Sequence, residues 1–147
     1  MRVRTRTLRA GNRGFTLLET IIVLFIAGLA VSVVVVSTGR LRERALFNAE
    51  ARKIYQTLKR AREVSLLERK NAAVRVDPET NRYWIEYDGG TQRPLSVPAG
   101  FSISGKDIFF FPKGNSSGGR ILLVDAAGKG YAIRVDPVLG TPTIKRL

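Results

Sequence analysis

The sequence has 147 residues, of which 25 are Lys or Arg, 12 are Asp or Glu, and none is His or Cys. That length allows one modest domain, and an apolar content of 44% can supply a folded core, so wholesale disorder is excluded. Because the chain has no imidazole and no thiol, metal sites built on those ligands, His- or Cys-based catalysis and disulfide bonds are excluded as well.

The formal net charge of +13 is distributed unevenly along the chain. Residues 1–14 contain five Arg and no acid, and the only charged residue in 15–39 is Glu19. Residues 40–70 carry a net charge of +6, whereas residues 71–147 carry only +3. The excess positive charge therefore lies mainly on the two sides of an apolar run. This arrangement is typical of membrane topology rather than of a nucleic-acid surface.

The apolar run extends from Phe15 to Val36. As a helix its residues would span about 33 Å, which is enough for the hydrocarbon core of a bilayer. Five Arg precede the run and three follow it closely, so the positive charges favour a cytoplasmic N-terminus. We predict a transmembrane helix over residues 15–38.

Three simpler interpretations of this run are open. It is compatible with an ordinary signal-anchor helix, with a secretory signal cleaved after Ala30, or with a buried helix of a soluble protein. The apolar residues surround the helix and the flanks are charged, which disfavours the buried helix. The run also continues past Ala30 to Val36, which disfavours the secretory signal.

Glu19 distinguishes among these interpretations. A lone carboxylate near the centre of a bilayer costs about 2.5–3.5 kcal/mol on insertion scales, so it indicates a functional site and requires a partner. No basic residue within the run can be that partner. An α-amino group at Phe15, created by cleavage after Gly14, could fill the role, either in the same chain or on a neighbouring subunit.

The segment Gly14-Phe15-Thr16-Leu17-Leu18-Glu19, preceded by a basic leader and followed by an apolar helix, resembles the processing signal of type IV prepilins and type II secretion pseudopilins. The resemblance implies that a membrane-embedded prepilin peptidase cleaves between Gly14 and Phe15. It implies further that Phe15 is N-methylated and that Glu19 aligns subunits in a filament by pairing with a neighbour's N-terminal amine. Residues 1–14 would then be a leader peptide that is removed.

Residues 39–70, which we call the stalk, form an amphipathic segment in which apolar residues recur at the spacing of a helix. One face carries an apolar stripe at spacings of three and four, namely Phe47, Ala51, Ile54, Leu58, Ala61 and Ser65. The opposite face is basic and is either simply solvated or turned toward anionic lipid headgroups or acidic subunits. We predict one nearly continuous helix from about Phe15 to about Lys70.

The period changes after Lys70, and residues 71–147 contain short β-rich runs separated by turn residues. We predict an antiparallel β-rich head completed by the stalk helix, which is an α+β fold. Its seven predicted strands are Ala72–Asp77, Arg82–Asp88, Phe101–Ser104, Asp107–Phe111, Arg120–Val124, Tyr131–Val135 and Thr143–Lys145.

Two features of the head offer weaker signals of chemistry. The loop from Phe111 to Arg120 is rich in Gly and Ser and contains Lys113, but it lacks the order of a phosphate-binding loop and a following helix. Asp107, Asp125 and Asp136 are the candidate acids of a hydrolase, but all three border turns, where Asp side chains commonly bond the local backbone. We therefore predict no catalytic residue, no metal site and no cofactor.

Two stretches of the head, Val74 to Trp84 and Phe109 to Asp125, followed by Ile133-Arg134-Val135-Asp136 and Gly140, resemble the heads of GspH/FimT-type minor pseudopilins. The chain also has neither the cysteine pair of many minor pilins nor an acidic C-terminal segment like the calcium loop of the major pseudopilin. This resemblance implies a long N-terminal helix packed on two small antiparallel β-sheets.

The resemblance implies a minor pseudopilin of a type II secretion system, anchored by a single pass in the inner membrane with its head in the periplasm. Near the tip of a short periplasmic pseudopilus it would aid protein secretion. Its implied partners are the prepilin peptidase, other subunits, the inner-membrane assembly platform, and secreted substrates or the secretin. The alternative is a FimT/FimU-like minor type IV pilin in pilus assembly or DNA uptake, since the basic head permits nucleic-acid binding.

Overall fold

The structure, a computed structural model, describes residues 15–147, with residues 33–40 described for the backbone alone. The predicted leader therefore lies outside the described residues. The chain divides into two compact units, which meet between Leu41 and Arg42. Each unit is described here by itself.

A helix, α1, runs from Leu17 to Glu68. It begins at Thr16, whose side-chain hydroxyl accepts a hydrogen bond from the backbone N–H of Glu19 at 3.2 Å, as an N-cap residue does. It ends before Arg69, which has a positive φ of 52° and so takes the left-handed conformation that commonly terminates helices. The predicted helix from Phe15 to Lys70 is confirmed to within two residues at each end.

The apolar stripe of the stalk is buried in the second unit, residues 42–147. All six predicted stripe positions are buried, and Ile54, Leu58, Ala61 and Ser65 are completely inaccessible to solvent. The stripe packs against inward-facing residues of the head, among them Tyr83 and Ile121. The head thus uses the stalk helix as part of its core, as the sequence predicted.

Nine strands follow the helix in the order β1 (Ala72–Asp77), β2 (Arg82–Tyr87), β3 (Gly90–Thr91), β4 (Leu95–Ser96), β5 (Phe101–Gly105), β6 (Ile108–Phe110), β7 (Gly119–Asp125), β8 (Gly130–Val135) and β9 (Pro142–Arg146). They form two antiparallel sheets. Sheet A has the order β3-β2-β1-β6, with β4 also paired to β2, and sheet B has the order β5-β7-β8-β9. The predicted α+β fold with two small antiparallel sheets is confirmed.

The seven predicted strands are all present, and two were missed. Strands β3 and β4 contain two residues each and lie among the Gly and Pro of a segment that the sequence indicated only as a loop. They pair with opposite ends of the same strand, β2. A strand this short has no detectable alternation of its own, because its pairing is decided by the neighbouring strand rather than by its sequence.

The side chain of Asn81, in the turn between β1 and β2, joins the two sheets. Its amide nitrogen donates to the carbonyl oxygen of Phe101 at 2.7 Å, and its amide oxygen accepts from the backbone N–H of Ile103 at 2.9 Å. Asn81 itself has a φ of 55°, a conformation that Asn tolerates better than most residues. The turn that contains Asn81 therefore also fixes β5, the first strand of sheet B along the chain.

Within the described part of the chain, the structure contains no helix that is both long enough and apolar enough to cross a membrane. The transmembrane helix over residues 15–38 stays a prediction.

Candidate processing and assembly site

The start of α1 has the geometry of a capped helix. Phe15 and Thr16 precede the helix, and the Thr16 carbonyl oxygen accepts bonds from the backbone N–H of Thr20 at 3.1 Å and from the Thr20 hydroxyl at 3.0 Å. Thr16 and Glu19 occupy the first and fourth positions of a capping-box sequence, in which the acid lies at the third helical residue. Two of the predicted site positions, Phe15 and Glu19, are thus placed at one helix end, while Gly14 lies outside the described residues.

Glu19 lies in the first turn of α1 and is exposed. A carboxylate in this turn is favoured by the partial positive charge of the helix N-terminus. Among the described residues, no hydrogen bond or ion pair reaches the Glu19 carboxylate oxygens, and only the backbone N–H of Glu19 is engaged, by Thr16. Its acceptor oxygens are therefore available to a cation or donor from outside the described chain.

The surface that surrounds Glu19 is apolar on every side of the helix. The exposed large hydrophobic residues in this part of α1 and just before it are Phe15, Leu17, Leu18, Ile21, Ile22, Val23, Leu24, Phe25, Ile26, Leu29 and Val31. A helix that is apolar all round is stable only where other apolar groups surround it. The candidate site is therefore an acid at the end of a helix whose full circumference is suited to burial.

The acids suggested for a hydrolase have structural roles. The Asp125 Oδ1 atom accepts from the backbone N–H groups of Ala127 and Lys129, each at 2.9 Å. The Asp136 Oδ1 atom likewise accepts from Val138 and Leu139 at 2.8 and 2.7 Å. Both carboxylates hold their own turns, as the sequence indicated.

Asp107 differs from these two acids because it joins the segment before β6 to β1. Its Oδ1 atom accepts from the backbone N–H of Val76 at 3.0 Å, and its Oδ2 atom accepts from Arg75 at 2.8 Å. Arg75 also bonds Glu86 at 2.8 Å and lies 5.2 Å from the ring centre of Phe109. Because Arg75 stabilises the charged form, the pKa of Glu86 is held below its usual range. The contacts among these residues could not be predicted from the sequence, because the residues are far apart in the chain.

The second contact that the sequence did not reveal links the stalk to sheet A. Glu50 is buried on α1, and its carboxylate accepts a hydrogen bond from the Tyr83 hydroxyl at 2.7 Å. Burial, with the nearby Glu50 carboxylate, raises the pKa of Tyr83 well above its usual range. Lys53 lies 3.9 Å from the other Glu50 oxygen. Glu50 therefore attaches the helix to the sheet and is not free for chemistry.

The glycine- and serine-rich loop from Phe111 to Arg120 is not a phosphate cradle. A cradle needs free backbone N–H groups, but those of Gly114, Ser116, Ser117 and Gly118 all donate within the head. The Ser116 hydroxyl in turn donates to the carbonyl oxygen of Asp136 at 2.8 Å. The loop is thus fixed by its own hydrogen bonds. In the described residues there is also no group of acidic side chains that could hold a metal ion.

Comparison with protein families gives one match. Residues 9–35 match the family model described as the prokaryotic N-terminal methylation motif. This stretch contains Gly14, Phe15 and Glu19, the three residues predicted from the sequence. A comparison with curated proteins gave no match.

Solved structures with the same fold are minor pseudopilins and a minor pilin. Two structures of the minor pseudopilin EpsH from the type II secretion system of Vibrio cholerae are 16% and 15% identical, with TM-scores of 0.55 and 0.56. They cover 68% and 70% of this chain and 94% of the EpsH chain. The type IV minor pilin FimU from Pseudomonas aeruginosa is 12% identical, with a TM-score of 0.59, covering 70% of this chain and 90% of that chain.

The comparisons agree with the two halves of the sequence analysis. The methylation motif covers the part of the chain in which processing is predicted, and the solved structures share the helix and the two antiparallel sheets. The similar proteins of known structure are pilin-type subunits. The chain thus carries the prokaryotic N-terminal methylation motif in residues 9–35 and shares the fold of these two minor subunits, EpsH and FimU.

Proposed function

We propose that this protein is a minor pseudopilin of a type II secretion system, a structural subunit without catalytic activity. The observation that carries the proposal is the Glu19 carboxylate. It has no partner within the described residues and lies at the start of a helix that is apolar all round. A carboxylate in such surroundings needs a cation. The amine of a processed Phe15 is the cation that the motif supplies.

The mechanism is assembly rather than turnover. The basic leader stays in the cytoplasm, the apolar segment holds the subunit in the inner membrane, and the head lies in the periplasm. The prepilin peptidase cuts between Gly14 and Phe15, and the new amine of Phe15 is methylated. As the subunit leaves the lipid, its apolar helix is buried against the helices of other subunits. Glu19 then pairs with a neighbour's Phe15 amine, so that neither charge is left unpaired in an apolar bundle.

The proposed place of the subunit is near the tip of a periplasmic pseudopilus. The inner-membrane assembly platform and the other pseudopilins are its partners there, and its head faces secreted substrates or the secretin. The fold shared with EpsH supports this role. The second candidate is a minor type IV pilin, because FimU shares the fold equally well. Loss of secretion without loss of pili in a deletion strain supports the first role, and the reverse phenotype supports the second.

The test of the mechanism is the substitution Glu19→Ala. The variant is expected to insert into the membrane and to be cleaved, yet to be largely absent from the assembled filament. Without Glu19, the Phe15 amine of a neighbouring subunit has no carboxylate with which to form an ion pair. Thr20→Ala is the matched control: Thr20 lies in the same turn and is exposed, but bears no charge. The measurement is the amount of each variant that copurifies with other subunits. Copurification of Glu19→Ala at the level of Thr20→Ala would contradict the role of Glu19.

Processing is tested separately by mass spectrometry of the protein from its native host. The expected chain begins at Phe15 and carries one methyl group on its N-terminal nitrogen. A chain that begins at Val31 would indicate a secretory signal. A chain that retains Met1 to Gly14 would show that the leader is not removed, and either result would contradict the proposal.

A further inference from the structure

Three cations that are far apart in the sequence lie on one face of sheet B. Arg120 is on β7, Arg134 on β8 and Lys145 on β9, and all three are exposed. Their neighbours in the strands, such as Ile121 and Ile133, are buried in the core. Because successive side chains of a strand point to opposite faces, the three cations share the outer face of the sheet. We call this surface the basic face.

The register of the strands brings the three charges close together. Arg120 lies directly opposite Arg134, and Lys145 lies opposite Ala132, two residues before Arg134 on the same face. Directly opposed side chains have Cβ atoms about 4.5–5.5 Å apart, and like charges in that position destabilise the sheet. The arrangement therefore lowers the stability of the isolated head, and an acidic ligand on this face would remove the repulsion.

No acid of the four strands balances these charges on the same face. The other outward positions are Ser102, Ser104, Leu122, Val124, Ala132 and Thr143, none of which is charged. Within the described residues no ion pair involves Arg120, Arg134 or Lys145. The carboxylates at the ends of these strands, Asp125 and Asp136, accept bonds from their own turns.

The composition of the basic face favours a protein as its ligand. Partly buried apolar side chains, Leu122, Val124 and Ala132, lie among the cations, and protein interfaces combine an apolar centre with a charged rim in this way. Binding of single-stranded nucleic acid relies on aromatic side chains for stacking, and the outward positions contain none. Three cations also neutralise few phosphates, whereas they suffice to orient two protein surfaces.

We propose that the basic face of sheet B is a docking surface for an acidic face of a partner protein. The partner presents carboxylates at the spacing of Arg120, Arg134 and Lys145, and apolar side chains that cover Leu122 and Ala132. This goes beyond the proposed function, because it does not depend on the N-terminal helix or on Glu19. It names the head as a second place of contact and gives the chemistry of what binds there.

The experiment measures binding of a fluorescent peptide that alternates Glu and Val to the full-length chain in an uncharged detergent. The variant Arg120→Gln/Arg134→Gln/Lys145→Gln removes the three charges of the basic face. The matched control, Arg52→Gln/Arg60→Gln/Arg93→Gln, removes three exposed cations elsewhere in the same unit. Circular dichroism and melting temperature establish that both variants are folded.

The basic-face variant is expected to bind the peptide about tenfold more weakly than the wild-type chain, as loss of three partly screened charge pairs implies. The control variant should bind at the wild-type level, and added salt should weaken the wild-type interaction. Equal binding by the two variants, or no binding by the wild-type chain, overturns the proposal. Parallel titrations use duplex DNA and vesicles that contain phosphatidylglycerol. If the basic-face variant loses either of these ligands while keeping the peptide, the proposal is also overturned.

A single substitution separates docking from a merely structural role. Arg134→Glu places an acid opposite Arg120, so the variant is expected to melt at a higher temperature than the wild-type chain. The same variant should bind the acidic peptide more weakly. Unchanged peptide binding in this variant would contradict the proposal, whatever its melting temperature.

Discussion

The two halves of α1 are both rich in apolar residues, but these residues are exposed in the first half and buried in the second. Ile26, in the first half, is 59% exposed, whereas Ile54, in the second half, is fully buried. In the stalk the apolar residues form one stripe, which the sheets of the same chain cover. In the apolar segment they surround the helix, and no part of the described chain covers them. One helix thus contributes a core to its own head and a surface for other molecules.

The N-terminal segment and the head also differ in how far their function can be inferred from the sequence. The proposed processing and assembly site consists of neighbours in sequence, Gly14, Phe15 and Glu19, so a short motif contains all of it. The functional surfaces of the head combine residues from several strands, and their spacing in the sequence carries no signal. Three predictions test or sharpen the comparison, in order of decreasing effect.

The largest effect is expected for Ile54→Ala in comparison with Ile26→Ala. Removing the buried Ile54 side chain leaves a cavity and should lower the free energy of unfolding by about 2–5 kcal/mol. The same substitution at the exposed Ile26 should leave the stability of the head unchanged, since Ile26 belongs to the other compact unit. Chemical denaturation monitored through Trp84 fluorescence measures both. Equal losses in the two variants would mean that the two halves of α1 are not distinguished by packing.

An intermediate effect is expected where the stalk bonds sheet A. Tyr83→Phe removes the hydroxyl that donates to the buried Glu50 carboxylate, and an unsatisfied buried acceptor costs about 1–3 kcal/mol. Tyr87→Phe is the control: Tyr87 lies on the same strand, is only partly buried, and has no hydrogen bond through its hydroxyl within the described residues. Urea denaturation compares the two. A Tyr83→Phe variant as stable as Tyr87→Phe would show that the bond contributes nothing to helix docking.

The smallest effect concerns Arg75 and depends on pH. Arg75→Met should lower the stability by about 0.5–1 kcal/mol near neutral pH, as expected of partly exposed ion pairs. Arg75 lowers the pKa of Glu86 from 4.5, so the contribution of this pair is complete above about pH 4.5 and disappears as the pH falls through the lowered value. Melting temperatures of wild type and variant should therefore converge in acid.

A control for the Arg75 experiment is Lys59→Met, which breaks the exposed helix pair between Lys59 and Glu63. An exposed pair of this kind contributes little, so its loss should change the stability by no more than about 0.5 kcal/mol. A difference between wild type and Arg75→Met that stays constant from neutral pH to pH 3 would show that Glu86 and Asp107 are not the cause.

Much of the fold followed from local patterns in the sequence. The six-residue stripe of the stalk and the seven longer strands have recognisable patterns, so the buried face of the stalk and the positions of these strands were predicted correctly. In β2, Tyr83 and Ile85 are buried and alternate with less buried residues, as the period of a strand requires. The patterns failed where an element was too short to show a period, as in β3 and β4, or where a bond joined distant strands, as at Asn81.

By itself, the sequence determined the processing motif, the apolar circumference around Glu19, the stalk stripe and the α+β class. These depend on residues a few positions apart, whose relation is fixed by the geometry of a single helix or strand. Only the tertiary structure decided that Glu50 meets Tyr83, that Arg75 joins three strands, and that Arg120, Arg134 and Lys145 share a face. Strand order and register set those distances, and both result from how the helix and two sheets close around one core.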